Sequence, residues 1–161
     1  MIGSDSLHDP VIPPAIITEL FSLASTSKSN FEHLKKNQPT ILKAKGLKDR
    51  TLLHYIIISA NKNGTPADME SIVAELFKLT ADGTIDFHAK DRDGYTALDM
   101  LSYNLLSDWT MSTVIFPAFL TEAVKRGYDF SQLNPTGRAL IHMVAISGHQ
   151  DPNVVCTVSF R

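Results

Sequence analysis

The chain has 161 residues, 43% of them hydrophobic and 20% charged, with a formal net charge of −2. That length holds one domain with a real core, and the charge offers no basic field to hold a nucleic-acid backbone or an anionic membrane. The single cysteine, Cys156, can make no internal disulfide, and no apolar run reaches the roughly 18 residues needed to span a bilayer. The start MIGSDSLHDPVIPP also lacks the basic and apolar parts of a secretory signal. The expectation is a cytoplasmic protein without membrane insertion or nucleic-acid partner.

Residues 1–13 are polar and aperiodic and read as a loose lead-in to a single domain over 14–161. Helical spacing begins at Pro14, a good first helical residue, and runs through Ile16, Ile17, Leu20, Phe21, Leu23 and Ala24. A second short helix follows in SKSNFEHLKKNQ, with Ser29 or Asn30 as its cap and Pro39 as its end. TLLHYIIISA predicts a third, capped by Thr51 and apolar on most sides, although its β-branched run also suits a strand. The fourth opens on Thr65 and Pro66, repeats Met69, Ile72, Val73, Leu76 and Phe77 at three and four, and stops at Gly83. TALDMLSYNLL reads as a fifth. After a loop over 107–112, TVIFPAFLTEAVKRG reads as a sixth, starting or kinking at Pro117 and ending at Gly127. YDFSQLNPTGR is an extended connector, ALIHMVAISG a seventh helix, and DPNVVCTVSF the start of one more.

Three segments align without gaps once the first is offset by one residue: LKDRTLLHYIII, DRDGYTALDMLS and NPTGRALIHMVA. They bring Thr51, Thr96 and Ala139 to one position, with Leu53, Leu98 and Ile141 at a second and His54, Asp99 and His142 at a third, at intervals of 45 and 43 residues. A unit of the ankyrin repeat family is a turn-forming Asp/Gly segment, a Thr-Pro-Leu-His-like helix start, a short inner helix, a longer outer helix and a Gly-containing return, and DRDGYTALD, GRALIHMVAISGH and TLLHYI are similar to parts of it. In this the chain resembles the ankyrin repeat family, over about four units from Pro14 to Phe160, the first degenerate and the last incomplete. The resemblance implies an all-α solenoid of stacked helix–turn–helix repeats with extended turns between units. The departures are equally plain. The period exceeds the family's usual ~33 residues, Asp49 replaces a glycine, Asp99 a histidine, and Ala139 the capping threonine, a loss of about 1 kcal/mol.

Asp91, Asp93 and Gly94 do not form a calcium loop. With Gly94 at the sixth position, Ala89 and Met100 would stand where carboxylates are needed. The segment reads instead as a turn leading into a T-x-x-D cap from Thr96 to Asp99. His54 and His142, at equivalent positions near helix starts, are expected to hydrogen-bond there. His33, His88 and His149 lack metal-ligand spacing, and Cys156 in NVVCTV reads as a small core residue. No phosphate-cradling glycine loop is present. The expectation is no catalytic site, metal or cofactor.

By the family's pattern, inner-helix side chains on the concave side form rows: Tyr55, Met100 and Met143; Ile58, Tyr103 and Ile146; Ser59, Asn104 and Ser147. The turn tips add Lys48, Arg50, Lys90, Arg92, Tyr95, Asn134 and Arg138. Aromatic, Met and Arg side chains favour interface cores. The implied function is binding of another protein, with Tyr55, Arg92, Tyr95, Met100, Tyr103, Asn104, Arg138 and Met143 as partner-binding residues. The alternative is the targeting or substrate-recruiting part of a larger effector enzyme with its catalytic domain beyond Arg161. Long-period units of this kind are similar to those in effectors of intracellular bacteria, which implies the host cytosol.

Overall fold

The computed structural model describes residues 11–63, 65–104 and 114–146. Among them there are seven α-helices and no strand: α1 Pro14–Ala24, α2 Lys28–Asn37, α3 Leu52–Asn63, α4 Pro66–Ala81, α5 Ala97–Asn104, α6 Phe116–Lys125 and α7 Leu140–Ile146. The expected 107–112 loop, Trp109 within it, and the last helix with Cys156 lie outside the described residues.

Most boundaries have local causes. Pro14 begins α1, where its missing N–H costs nothing. At α2 the cap is Ser27, not Ser29 or Asn30: its extended backbone leaves Oγ free to accept the Asn30 N–H at 3.2 Å. Thr65 Oγ1 accepts the Asp68 N–H at 3.2 Å and starts α4, which Gly83 terminates at φ +81°. Pro117 lies in the first turn of α6, so the regular α-helix starts there, directly after the π-helical Val114 and Ile115. The β-branched run Ile56–Ile58 is helical. Leu52, Leu53, Ile56 and Ile57 are all fully buried, and burial over most of the helix surface outweighs local β preference.

The helices form two rows. In the first, α1 packs on α3, α3 on α5 and α5 on α7; in the second, α2 packs on α4. The core between them includes Phe21, Phe31, Leu52, Ile56, Met69, Ile72, Leu76, Leu98, Leu101 and Phe119. Phe77, Phe87 and Phe119 meet at centroid distances of 5.1–6.5 Å and join α4 to α6 and to the return segment between α4 and α5. Aromatic pairs at such separations add about 0.5–1.5 kcal/mol each beyond the area they bury.

Polar ties hold the second row. Lys35 of α2 reaches Glu75 of α4 at 2.9 Å. Hydrogen bonds from Lys78 and Lys35 hold the Glu75 carboxyl down at about 2. Arg126, at the end of α6, donates to the Thr80 carbonyl at 3.0 Å and the Phe77 carbonyl at 3.3 Å, while its Nε donates to Glu122 at 2.7 Å. The last carbonyls of α4 therefore find a cation at the negative end of the helix dipole. Arg126→Ala removes all three bonds, leaving the Phe77 carbonyl with the Thr80 hydroxyl at 2.8 Å and the Thr80 carbonyl with the Gly83 N–H at 3.4 Å. The expected loss is about 1–3 kcal/mol, read as a fall in urea midpoint at unchanged slope. Arg126→Lys, without the planar fork, recovers only part of it.

Candidate interaction surface

Three turns repeat one hydrogen-bond pattern. The N–H of Gly46 donates to the Arg50 carbonyl at 2.9 Å, that of Asp91 to Tyr95 at 2.9 Å, and that of Asn134 to Arg138 at 2.8 Å. In the second turn, Asp91 Oδ1 accepts the N–H groups of Asp93 and Tyr95, both at 3.0 Å. In the third, Asn134 Oδ1 accepts those of Thr136 and Arg138 at 3.0 and 3.1 Å. Gly94 and Gly137 close these turns at φ +90° and +76°. The first turn starts on Gly46, which has no side chain to accept, and is shaped instead by Lys48 and Asp49 at φ +60° and +55°. Asp49 thus stands in the left-handed conformation that the aligned glycines adopt, one that aspartate tolerates better than most residues. Gly46 itself is fixed by proximity: a Cβ there would lie 2.6 Å from Thr18 Oγ1 and 2.9 Å from the Tyr55 hydroxyl.

Each turn feeds a helix start, and there too the pattern recurs. The N–H of Thr51 donates to His54 Nδ1 at 3.2 Å, that of Thr96 to Asp99 Oδ2 at 3.0 Å, and that of Ala139 to His142 Nδ1 at 3.1 Å. Thr96 completes a reciprocal box, its Oγ1 accepting the Asp99 N–H at 3.2 Å. The two threonine hydroxyls also meet the same acceptors, Thr96 Oγ1 donating to Asp99 Oδ2 at 3.0 Å and Thr51 Oγ1 lying 2.9 Å from His54 Nδ1. Ala139 has no hydroxyl, so the third start keeps half of the box. The expected helix-start roles of His54, His142 and the Asp91–Asp99 stretch are therefore seen.

Because His54 Nδ1 accepts, its proton is on Nε2, which donates to the Tyr95 carbonyl of the next turn at 3.0 Å. Burial lowers the pKa of this imidazole from its ordinary value, against a smaller opposing effect of the Tyr95 bond. The first two turns are also joined by Arg92 N–H to the Lys48 carbonyl at 2.7 Å, and by the pairs Arg50–Asp91 at 3.2 Å, Lys48–Asp93 at 3.2 Å and Arg92–Asp49 at 3.5 Å. Tyr128, whose hydroxyl lies 3.4 Å from Thr96 Oγ1, is pushed up to about 12 by burial and stays neutral.

Among the residues expected to meet a partner, Arg92 and Arg138 are exposed, and Tyr95 and Met100 are half-buried, Met100 against the core. Two others are corrections. Tyr55 is 5% exposed: its hydroxyl donates to the Leu47 carbonyl at 3.0 Å and meets Thr18 Oγ1 at 2.8 Å, while its ring packs on Phe21. Met143 is 2% exposed, on the face of α7 it shares with buried Leu140. Neither offers a side chain to a partner. The side chains of Tyr103, Asn104 and Ile146 and all of Ser147 lie outside the described residues; Ile58 and Ser59 are half-buried, and Asn134 is buried within its turn.

Two surface features went unforeseen. Leu47, at the first turn tip, is half exposed. An apolar groove of about 350 Å³ runs between α4 and α6, lined by Glu70, Val73, Ala74, Phe77, Val114 and Ala118. Its one sequence signal was an apolar stripe on α4 wider than a single contact needs. Among the described residues, no three His, Cys, Asp or Glu side chains gather to hold a metal, and no helix is long and apolar enough to cross a membrane.

No family model, curated protein or solved structure matches this chain.

The pH dependence follows from His54. Its pKa is lower folded than unfolded, so the unfolded chain binds the extra proton first. The stability this side chain contributes is present above the unfolded value of about 6.5 and is lost as pH falls toward and through the folded value. His54→Gln keeps an acceptor and a donor but does not titrate. Between pH 7.5 and 5 the wild-type urea midpoint should fall more steeply than that of the variant; parallel curves refute the assignment. At the second start, Asp99→Asn keeps an acceptor for the Thr96 N–H, whereas Asp99→Ala buries that donor unpaired. The alanine variant should therefore lose about 1–3 kcal/mol and the asparagine variant clearly less, compared by chemical denaturation.

Proposed function

We propose that this chain is a divergent ankyrin-like repeat module that binds another protein through its turn tips and the adjoining edge of the α1–α3–α5–α7 row. The observation that carries the reading is the threefold recurrence of turn and helix start at Gly46–His54, Asp91–Asp99 and Asn134–His142, with the same bonds at each. A solenoid of such units projects its turns on one side, where loops are free to meet a partner.

The burial of Tyr55 and Met143 narrows the surface. It leaves Leu47 and the charged tips Lys48, Arg92, Asp93 and Arg138 exposed, with Tyr95 and Met100 half-buried beneath them. Arginine and aromatic side chains standing over a rigid base are the usual anchors of protein interfaces. The half-exposed leucine adds apolar area at one end of the strip.

A photo-crosslinking amino acid placed at Arg92 or Arg138, in cells that make the protein, tests the assignment. Both positions should trap the same partner, which Arg92→Ala/Arg138→Ala captures at least tenfold less. A crosslinker at Lys78, on the outer face of α4, should trap none of it. Equal trapping from Lys78, or undiminished capture by the double variant, places the interface elsewhere.

A further inference from the structure

The two joints between successive turns are chemically unlike. Five cross-links tie the first turn to the second; between the second and the third, residue identity rules out the backbone bond, the ring N–H bond and all three ion pairs. The backbone bond from Arg92 N–H to the Lys48 carbonyl has Pro135 as its counterpart donor, and proline has no N–H. The pair Lys48–Asp93 becomes Asp93 with Thr136, and Asp49–Arg92 becomes Gly94 with Pro135. Arg50–Asp91, whose carboxylate is fully enclosed, becomes Tyr95 with Asn134. The His54 Nε2–H that reaches the Tyr95 carbonyl has Asp99 as its counterpart, a carboxylate with no proton to give.

The second joint also carries a cost of its own. Asn134 Nδ2, which replaces the paired oxygen of Asp91, is buried without a hydrogen-bond partner. Among the described residues, the contacts seen at this joint include α7 against α5 and Pro135 against Gly94, where an added Cβ would lie 3.0 Å from Pro135 Cγ. Tyr95 makes contacts of its own, but as a tyrosine it cannot supply the guanidinium of Arg50. The other end of the row is pinned. Thr18 of α1 meets the Tyr55 hydroxyl at 2.8 Å and takes the Leu47 N–H at 2.9 Å.

We propose that the unit made of the third turn and α7 is a built-in opening element, which detaches from α5 while α1–α5 and the first two turns remain folded. In a stack of units, stability resolves into each unit plus its nearest-neighbour joints, so a weak joint opens alone. Detachment uncovers Leu140, which shares the core with Leu98 and Leu101, and the α5 surface that α7 covers, a conditional apolar face distinct from the turn tips. It requires no partner and stands whether or not the turn tips bind one.

Native-state hydrogen exchange, read by NMR on the whole chain at matched amides, tests this. Asn134 and Asp91 make the same turn bond, and Met143, Met100 and Tyr55 occupy the same helix position. Asn134 and Met143 should exchange at least tenfold faster than Asp91, Met100 and Tyr55, while Ser25 at the end of α1 keeps pace with Tyr55. Exchange of Asn134 and Met143 in step with the rest overturns the proposal, and so does equal fraying at both ends of the row. Asp91→Asn copies Asn134 into the second turn, keeping the Oδ1 acceptor and removing the Arg50 pair, and should speed exchange at Asp91 and Met100 severalfold. Tyr95→Arg/Asn134→Asp copies the Arg50–Asp91 pair into the second joint and should slow Asn134 and Met143 severalfold. If neither variant moves the gradient, the missing cross-links are not its cause and the proposal fails.

Discussion

Everything in this fold hangs on how the first N–H of each helix in the α3–α5–α7 row is satisfied. A helix start leaves backbone donors without partners, and one buried unpaired costs about as much as a lost hydrogen bond. Here the acceptor comes from the side chain three residues on, twice an imidazole nitrogen and once a carboxylate oxygen. The requirement is therefore for an acceptor of suitable reach rather than for histidine. That is why Asp99 can stand where His54 and His142 stand without disturbing the turn. What changes is the far side of the group. Imidazole presents a second nitrogen that can donate onward to the next turn, and carboxylate presents only more lone pairs. One substitution thus preserves the local structure and alters the coupling between units.

The turn that precedes each start obeys the same economy of backbone donors. Asp91 and Asn134 use one side-chain oxygen to accept two N–H groups, two and four residues on, and so fix the approach to the helix. The first turn lacks that device because Gly46 must be a glycine to fit beneath Thr18 and Tyr55. It compensates with two consecutive left-handed residues, Lys48 and Asp49. The same hairpin closure, from Gly46 to Arg50, is reached by a different route.

How much of this the sequence discloses depends on whether the controlling interaction is local. Turns, caps and helix extents involve residues two to four apart, so Thr65, Thr96, Gly83 and the alignment of His54, Asp99 and His142 were readable from spacing alone. Exposure is not local. Tyr55 occupies a position that a regular stack leaves open, yet α1 and the Leu47 carbonyl close over it, and nothing in TLLHYIIISA reports how α1 is angled. The 2% exposure of Met143 is likewise not reported by its own helix periodicity. The groove between α4 and α6 belongs to the same class, since it depends on the separation of two helices joined by a long connection. A residue's helix face is encoded in its periodicity; what lies against that face is encoded elsewhere in the chain.

The turn tips divide their charges by depth, and the division bears on what the proposed partner can use. Arg50 and the enclosed Asp91 form a partly buried pair, and removing either strands the other in a poorly solvated place. Lys48–Asp93 and Arg92–Asp49 lie above it with every side chain about half exposed or more, where such pairs contribute about 0–1 kcal/mol. Breaking an outer pair to engage a partner's carboxylate or lysine exchanges one weak contact for another, with little net loss to the fold. The inner pair holds the turns in register while this happens. Stability and, on the proposed reading, recognition can therefore share the same five-residue turns, because the side chains that point inward and those that point outward draw on different dielectric surroundings.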